Sequence, residues 1–155
     1  MSNKIVKYTV EDYIERYEAP VKALMHYLPW LEQNAETGGS QDFKDSETTM
    51  AFPVYDSNLL AFVKQAQNTK MLDRNYLYVY SRHNLKSGED ELKFIERAQL
   101  RDMDDLWGIL SRYVQEGMTR GTVWSEGVKN GVMGGVVRKM NELLTLWSKE
   151  ATAVR

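Results

Sequence analysis

Apolar residues recur at intervals of three and four along most of this chain, the repeat of helices that bury one face. The first stripe is Val10, Tyr13, Ile14, Tyr17, Val21, Leu24 and Leu28. Thr9 precedes it and Asp12 stands three positions on, a capping-box pattern with Asp where Glu or Gln is usual. The stripe runs through Pro20, which lacks an N–H and collides with the carbonyl of Arg16, so a kink or break is expected there. Pro29 is expected to end or kink the second half, leaving Trp30 and Leu31 to anchor the exit. Asp56 or Ser57 caps a helix carrying Leu59, Leu60, Phe62, Val63 and Ala66. Ser87 caps another, with acids in its first turn where the helix dipole favours them. "DMDDLWGILSRYVQEG" sets Leu106, Ile109, Leu110, Tyr113 and Val114 on one face, with Gly117 as its C-terminal stop. A final helix carries Met133, Val136, Val137, Met140, Leu143, Leu144 and Trp147.

Two segments depart from this period. Residues 35–53, "AETGGSQDFKDSETTMAFP", show none and predict a long irregular loop. In "NYLYVYS", Tyr76, Tyr78 and Tyr80 alternate with Leu77 and Val79, which suits a strand; a buried helical turn fits the same residues, and both stay open. A strand there needs a partner, and "MAFPVY" is the candidate despite its proline. The fold class is mainly α: a single-domain helical bundle over 1–155, with an irregular loop at 35–53 and the option of a short strand pair near 50–55 and 76–80.

Five of the ten glycines fall between Gly121 and Gly135, inside otherwise helical sequence. Asn130-Gly131 is a strong turn signal, so the helix carrying Trp124 and Val128 is expected to stop there and a new one to start near Val132. The rival is one continuous helix in which Gly127, Gly131 and Gly135, four apart, form a packing line. Three interior glycines would cost about 3 kcal/mol before packing offset any of it, which favours the turn. A third use is an anion cradle at the new helix start, with Gly131, Gly134 and Gly135 exposing backbone N–H groups and Arg120, Lys129 and Lys139 supplying charge. Neither GxGxxG after a strand nor GxxxxGK[ST] is present to support it.

Composition narrows the function classes. The chain of 155 residues has no cysteine, which removes disulfides, thiolate metal sites and cysteine nucleophiles. The first residues lack the apolar core of a signal peptide, and no apolar run approaches the roughly 20 residues that span a bilayer, so a soluble cytoplasmic protein without a membrane partner is expected. A net charge of -2 argues against wholesale nucleic-acid binding. The charge is uneven: residues 32–58 carry six acids and one base, whereas 117–155 carry six bases and three acids. That asymmetry, with more apolar faces than a small bundle comfortably hides, suggests a homo-oligomer, with a two-fold dimer as the commonest form.

Candidate chemistry is sparse. His26 and His83 stand in unrelated segments without an HExxH partner, and no GxSxG elbow accompanies a serine. Glu11, Glu15 and Glu18 line one stripe of the first helix. Glu15-x-x-Glu18 is half of the paired acid motif with which all-α nucleotide pyrophosphohydrolases hold Mg²⁺, but the second half, an ExxD on a following helix, is missing. The tyrosines between Arg74 and Arg82 could stack bases beside phosphate-binding charges, but core packing with snorkelling arginines is the expected account. No catalytic, metal or cofactor residue follows from the sequence.

The segment "AQLRDMDDLWGILSRYVQEGMTRGTVWSEGVKNGVMGGVVRKMNELL" resembles the C-terminal part of a family of small bacterial and phage proteins catalogued as a domain of unknown function. The shared features are an apolar helix, an Arg-Gly turn at Arg120 and Gly121, the aromatic Trp124, Gly131 and a final helix ending in leucines. The resemblance covers the last third of the chain, and a second basic residue expected beside the Arg-Gly turn is missing. It implies a small helical fold and no known activity. The expectation from all this is a non-enzymatic helical module acting through contact with an unidentified protein partner or its own copy. The alternatives are a Mg-dependent all-α nucleotide phosphohydrolase and a nucleic-acid-associated protein.

Overall fold

The computed structural model describes residues 9–35, 40–43, 52–55, 57–120 and 122–153. Helix α1, Val10–Met25, starts at the expected capping box: the Thr9 hydroxyl accepts from the Asp12 N–H, and the Asp12 carboxylate accepts from the Thr9 N–H. No break occurs at Pro20, which stands inside the helix. Tyr17, Val21 and Leu24 on either side of it are buried, and tertiary packing outweighs one lost backbone hydrogen bond. The helix ends instead at Met25, and Pro29 falls in the first turn of α2, Leu28–Gln33, where a missing N–H has no partner to lose.

The segment expected to be all loop contains a strand. Strand β1, Ser40–Phe43, pairs antiparallel with β2, Phe52–Tyr55, in a register that sets Ser40 opposite Tyr55 and Phe43 opposite Phe52. Of the two readings open for residues 76–80 the helical one is realised, in the helix Leu77–His83, so the strand at 52–55 pairs with 40–43 and not with 76–80. Residues 36–39 and 44–51 of the expected loop, and Asp56 and Gly121, lie outside the described residues.

The bundle continues with α3, Ser57–Asn68; α4, Leu77–His83; and α5, Gly88–Arg97. A short 3₁₀ turn, Leu100–Asp102, leads into α6, Met103–Gly117, then α7, Thr122–Lys129, and α8, Val132–Ala153. The last helix is the hub, packing on α1, α2, α5, α6 and α7. Of its stripe, Met133, Val136, Val137, Met140, Leu143 and Leu144 are buried, as is Val132, whereas Trp147 is partly buried against the core. Helix α6 is enclosed further, with every residue from Leu106 to Ser111 buried. Among the described residues no helix is long and apolar enough to cross a membrane.

The glycine question resolves as a turn. Helix α7 stops at Lys129, Gly131 has φ +79°, and α8 begins at Val132. Asn130 serves both sides: its N–H donates to the Glu126 carbonyl at 2.9 Å and its side-chain oxygen accepts from the Val132 N–H at 2.9 Å. Gly127, Gly131 and Gly135 therefore do not share a helix face.

Candidate functional site

A polar cluster ties four segments together around Glu91, a carboxylate only 1% exposed. Helix α5 delivers it. Ser87 caps that helix, accepting from the Asp90 N–H at 3.2 Å, and Glu91 follows in the first turn, where the helix dipole favours an anion. It shares the core-facing stripe with Phe94, Ile95 and Ala98, all buried.

Helix α4 supplies Tyr80, whose hydroxyl donates to Glu91 Oε2. This helix is held on α6 by the preceding segment. The Asp73 N–H donates to Ser111 Oγ at 2.7 Å, and Gln115 Nε2 donates to the Asp73 carbonyl at 3.3 Å. Helix α6 supplies two more members. The Tyr113 hydroxyl donates to Glu91 Oε1 at 2.6 Å, and Arg112 Nη1 reaches Glu91 Oε2 at 3.4 Å. The Asn130 amide donates to the Tyr113 oxygen at 3.0 Å, which joins the α7–α8 turn to the cluster.

Arg112 is the electrostatic centre. Its guanidinium lies 5.3 Å from the Tyr80 ring centroid and 4.9 Å from that of Tyr113, a double cation–π contact. Its Nε also donates to Glu116 Oε2 at 3.0 Å, while Arg120 Nη2 donates to Glu116 Oε1 at 3.3 Å. Burial works against the Arg112 charge, but the oxygens of Tyr80, Tyr113 and Glu91 outweigh it and hold the pKa above the usual arginine value. Burial and the adjacent Glu91 charge push both Tyr80 and Tyr113 well above the ordinary tyrosine value. Both phenols stay protonated, as donors to the carboxylate must.

Beside the cluster is a cleft of about 320 Å³, lined by Leu77, Tyr80, Leu85, Lys86, Arg112 and Glu116 among others. Leu77 and Tyr78, at the start of α4, are 67% and 69% exposed. The expectation that these tyrosines all pack in the core is corrected here: Val79 is buried, Tyr80 joins the polar cluster, and Tyr78 faces solvent. A seven-residue helix lying on α6 can bury only one side. Val79 takes that side, so close to Gly108 that a β-carbon there would stand 2.6 Å from Val79 Cγ2.

The cluster clamps α4, α5, α6 and the α7–α8 turn together. Tyr80 and Arg112 donate to Glu91 Oε2 and Tyr113 donates to Oε1, so three of its roughly four acceptor sites are taken. Sequence reasoning passed over Glu91 as one of three first-turn acids. The available signal was its spacing to Phe94, Ile95 and Ala98, which puts a carboxylate on an apolar stripe.

The residues singled out from sequence do not assemble as imagined. Gly131, Gly134 and Gly135 do line a cavity of about 330 Å³ with Leu31, Leu92 and Arg138. The cations proposed for it point elsewhere: Arg120 bonds Glu116, and Lys139 Nζ donates to the Glu96 carbonyl at 2.9 Å. Lys129 is exposed at the end of α7, and Arg138, the cation that lines the cavity, donates to Glu32 through Nε at 3.3 Å. Glu11, Glu15 and Glu18 are exposed on α1, and Glu18 pairs with Lys22 at 2.7 Å. Among the described residues no three acids or histidines gather as a metal site. His83 Nε2 lies 2.9 Å from Asp105 Oδ2 with its ring against Phe94, and His26 packs edge-on to Tyr27. No family model, curated protein or solved structure matches this chain.

Proposed function

We propose that this protein is a non-enzymatic interaction module, with a protein-binding face at the start of α4. The carrying observation is the adjacent pair Leu77 and Tyr78, which leaves two large apolar side chains mostly in water beside a cleft whose floor is fixed by the Glu91 cluster. Solvating such side chains costs stability that burial against a partner would recover, about 1.5–3 kcal/mol for each one fully covered. The fixed floor favours the same use, because a preformed site loses little entropy on binding. The resemblance of the C-terminal third to a family without known activity adds neither a reaction nor a ligand.

A panel of nucleotides incubated with Mg²⁺ tests this against the phosphohydrolase alternative. No turnover is expected. Hydrolysis that Glu15→Gln abolishes would overturn the module reading, because that substitution removes one exposed carboxylate from the α1 stripe and nothing from the α4 face.

A further inference from the structure

The turn between α7 and α8 holds a reactive pair. Asn130 is the one asparagine of the chain that a glycine follows. In such a pair the glycine nitrogen carries no neighbouring side chain to obstruct it, so it can attack the asparagine side-chain carbon and expel ammonia.

The fold restrains both reacting groups. The Gly131 N–H donates to the Val128 carbonyl at 3.1 Å. The Asn130 side-chain nitrogen donates to the Tyr113 oxygen at 3.0 Å, and its side-chain oxygen accepts from the Val132 N–H at 2.9 Å. The start of α5 closes over the same amide, since a β-carbon at Gly88 would stand 3.4 Å from Asn130 Nδ2. The bond from Val132 polarises the side-chain carbonyl and by itself would favour attack. The nucleophile decides the matter: while its proton sits on the Val128 carbonyl, the Gly131 nitrogen does not lose it to solvent, and the turn must open first.

We infer that Asn130 is a site of spontaneous deamidation that the fold gates. When the turn opens, solvent base removes the Gly131 amide proton and the nitrogen bonds to Asn130 Cγ. The Cγ–Nδ2 bond breaks, ammonia leaves with a proton taken from water, and a cyclic imide remains. Water then opens the ring to aspartate or, through its other carbonyl, to isoaspartate. Aspartate can still cap the Val132 N–H, but it has no N–H to offer the Tyr113 oxygen. It also places a second carboxylate one phenol away from buried Glu91, a like charge that the cluster does not accommodate. Isoaspartate lengthens the main chain by one methylene beside a glycine held at φ +79°. Each conversion therefore loosens the Glu91 cluster at its α7–α8 end, and none reverses.

Peptide mapping by mass spectrometry, with the Asn, Asp and isoaspartate forms separated, tests this on the full chain in mildly alkaline buffer. The reference is the same chain unfolded in guanidinium chloride. Conversion at Asn130 should be about tenfold or more slower in the native protein, because only molecules with an open turn react. Tyr113→Phe removes the acceptor of the Asn130 amide without changing the residues beside the reaction. It should speed the native reaction and leave the unfolded one as it was. Denaturant below the unfolding transition should speed the native wild-type reaction too, a measurement that does not depend on the variant folding. Asn130→Asp, which supplies the product directly, should lower the denaturation midpoint at neutral pH. Native conversion as fast as unfolded conversion would overturn the gate, and an Asn130 left unmodified in the unfolded chain would overturn the site. A wild-type midpoint in Asn130→Asp would overturn the effect on the cluster.

Discussion

The indole of Trp124 lies directly against the α-carbon of Gly117, so close that a β-carbon at 117 would stand 2.1 Å from the indole Cδ1 and Nε1. The indole N–H donates to the Val114 carbonyl at 3.0 Å, which fastens α7 onto the last turn of α6. Gly117 does end α6, but what demands a glycine there is the ring above it. Gly117→Ala should destabilise the protein by about 1–3 kcal/mol through overpacking. Urea denaturation measures the loss, and Trp124 emission should shift as the ring is displaced; an unchanged midpoint would show that the ring yields freely.

Three glycines of the C-terminal segment, Gly127, Gly131 and Gly135, should separate by mechanism. At Gly131 nothing lies within 4 Å of an added β-carbon, so the penalty of Gly131→Ala comes from the left-handed backbone alone, about 1–2 kcal/mol. At Gly127 a β-carbon would meet Tyr113 Cδ1 at 2.7 Å and Met133 Cγ at 3.0 Å, so Gly127→Ala should be at least as damaging and should disturb the Glu91 cluster through Tyr113. Gly135→Ala meets Ile95 only at 3.8 Å, an ordinary contact, and should be neutral or slightly stabilising because alanine favours the helix. Thermal melts of the three variants would rank them; a severe Gly135→Ala would contradict the packing described.

Removing the carboxylate from the clamp should be worse than removing either of its tyrosine donors. Glu91→Ala leaves the Tyr80 and Tyr113 hydroxyls without their acceptor and Arg112 with Glu116 alone, and about 3 kcal/mol is expected from breaking a largely buried ion pair. Tyr80→Phe and Tyr113→Phe each remove one neutral donor and should cost about 1–2 kcal/mol. A double-mutant cycle between Glu91→Ala and Tyr113→Phe should be strongly non-additive. Additive losses would mean that the hydroxyl and carboxylate act independently.

The same tyrosines make the protein sensitive to alkali. Burial and Glu91 raise Tyr80 and Tyr113 above the ordinary 10.0, and burial and Asp104 do the same for Tyr17. The folded state therefore holds protons that the unfolded chain releases, so this contribution is complete below pH 10 and is lost as pH rises past it. Each phenol accounts for up to about 1.4 kcal/mol per pH unit. Denaturation midpoints measured below and above pH 10 should fall steeply for wild type and less steeply for Tyr80→Phe, whatever their values at neutral pH.

Self-association is the remaining expectation. Exposed apolar residues occur on several helices, including Leu60 on α3, Leu92 on α5 and Leu146 on α8. A two-fold dimer should register in light scattering at tens of micromolar in low salt, at twice the chain mass of 18.0 kDa. A monomer under those conditions would remove it.

Much of the fold was legible because its signals are local. The Thr9–Asp12 box, the Ser87 cap, the Asn130-Gly131 turn and the stripes of α6 and α8 depend on residues within a few positions of each other. The points that the sequence left open share the opposite character. Pro20 reads as a break only if the buried contacts of Tyr17, Val21 and Leu24 are left out. The period-two run at 76–80 reads as a strand only until Val79 is seen against Gly108. Glycines 131, 134 and 135 look like an anion cradle until Arg120 and Lys139 are found on Glu116 and the Glu96 carbonyl.

The sequence by itself determined where the chain turns and which helix faces go inward, because backbone geometry and apolar period act over a few residues. Tertiary structure alone decided which polar groups meet. Glu91 with Tyr80, Arg112, Tyr113 and Asn130, and Trp124 over Gly117, are pairings between different helices. Such pairings are fixed by how helices cross, and no spacing along the chain encodes that crossing.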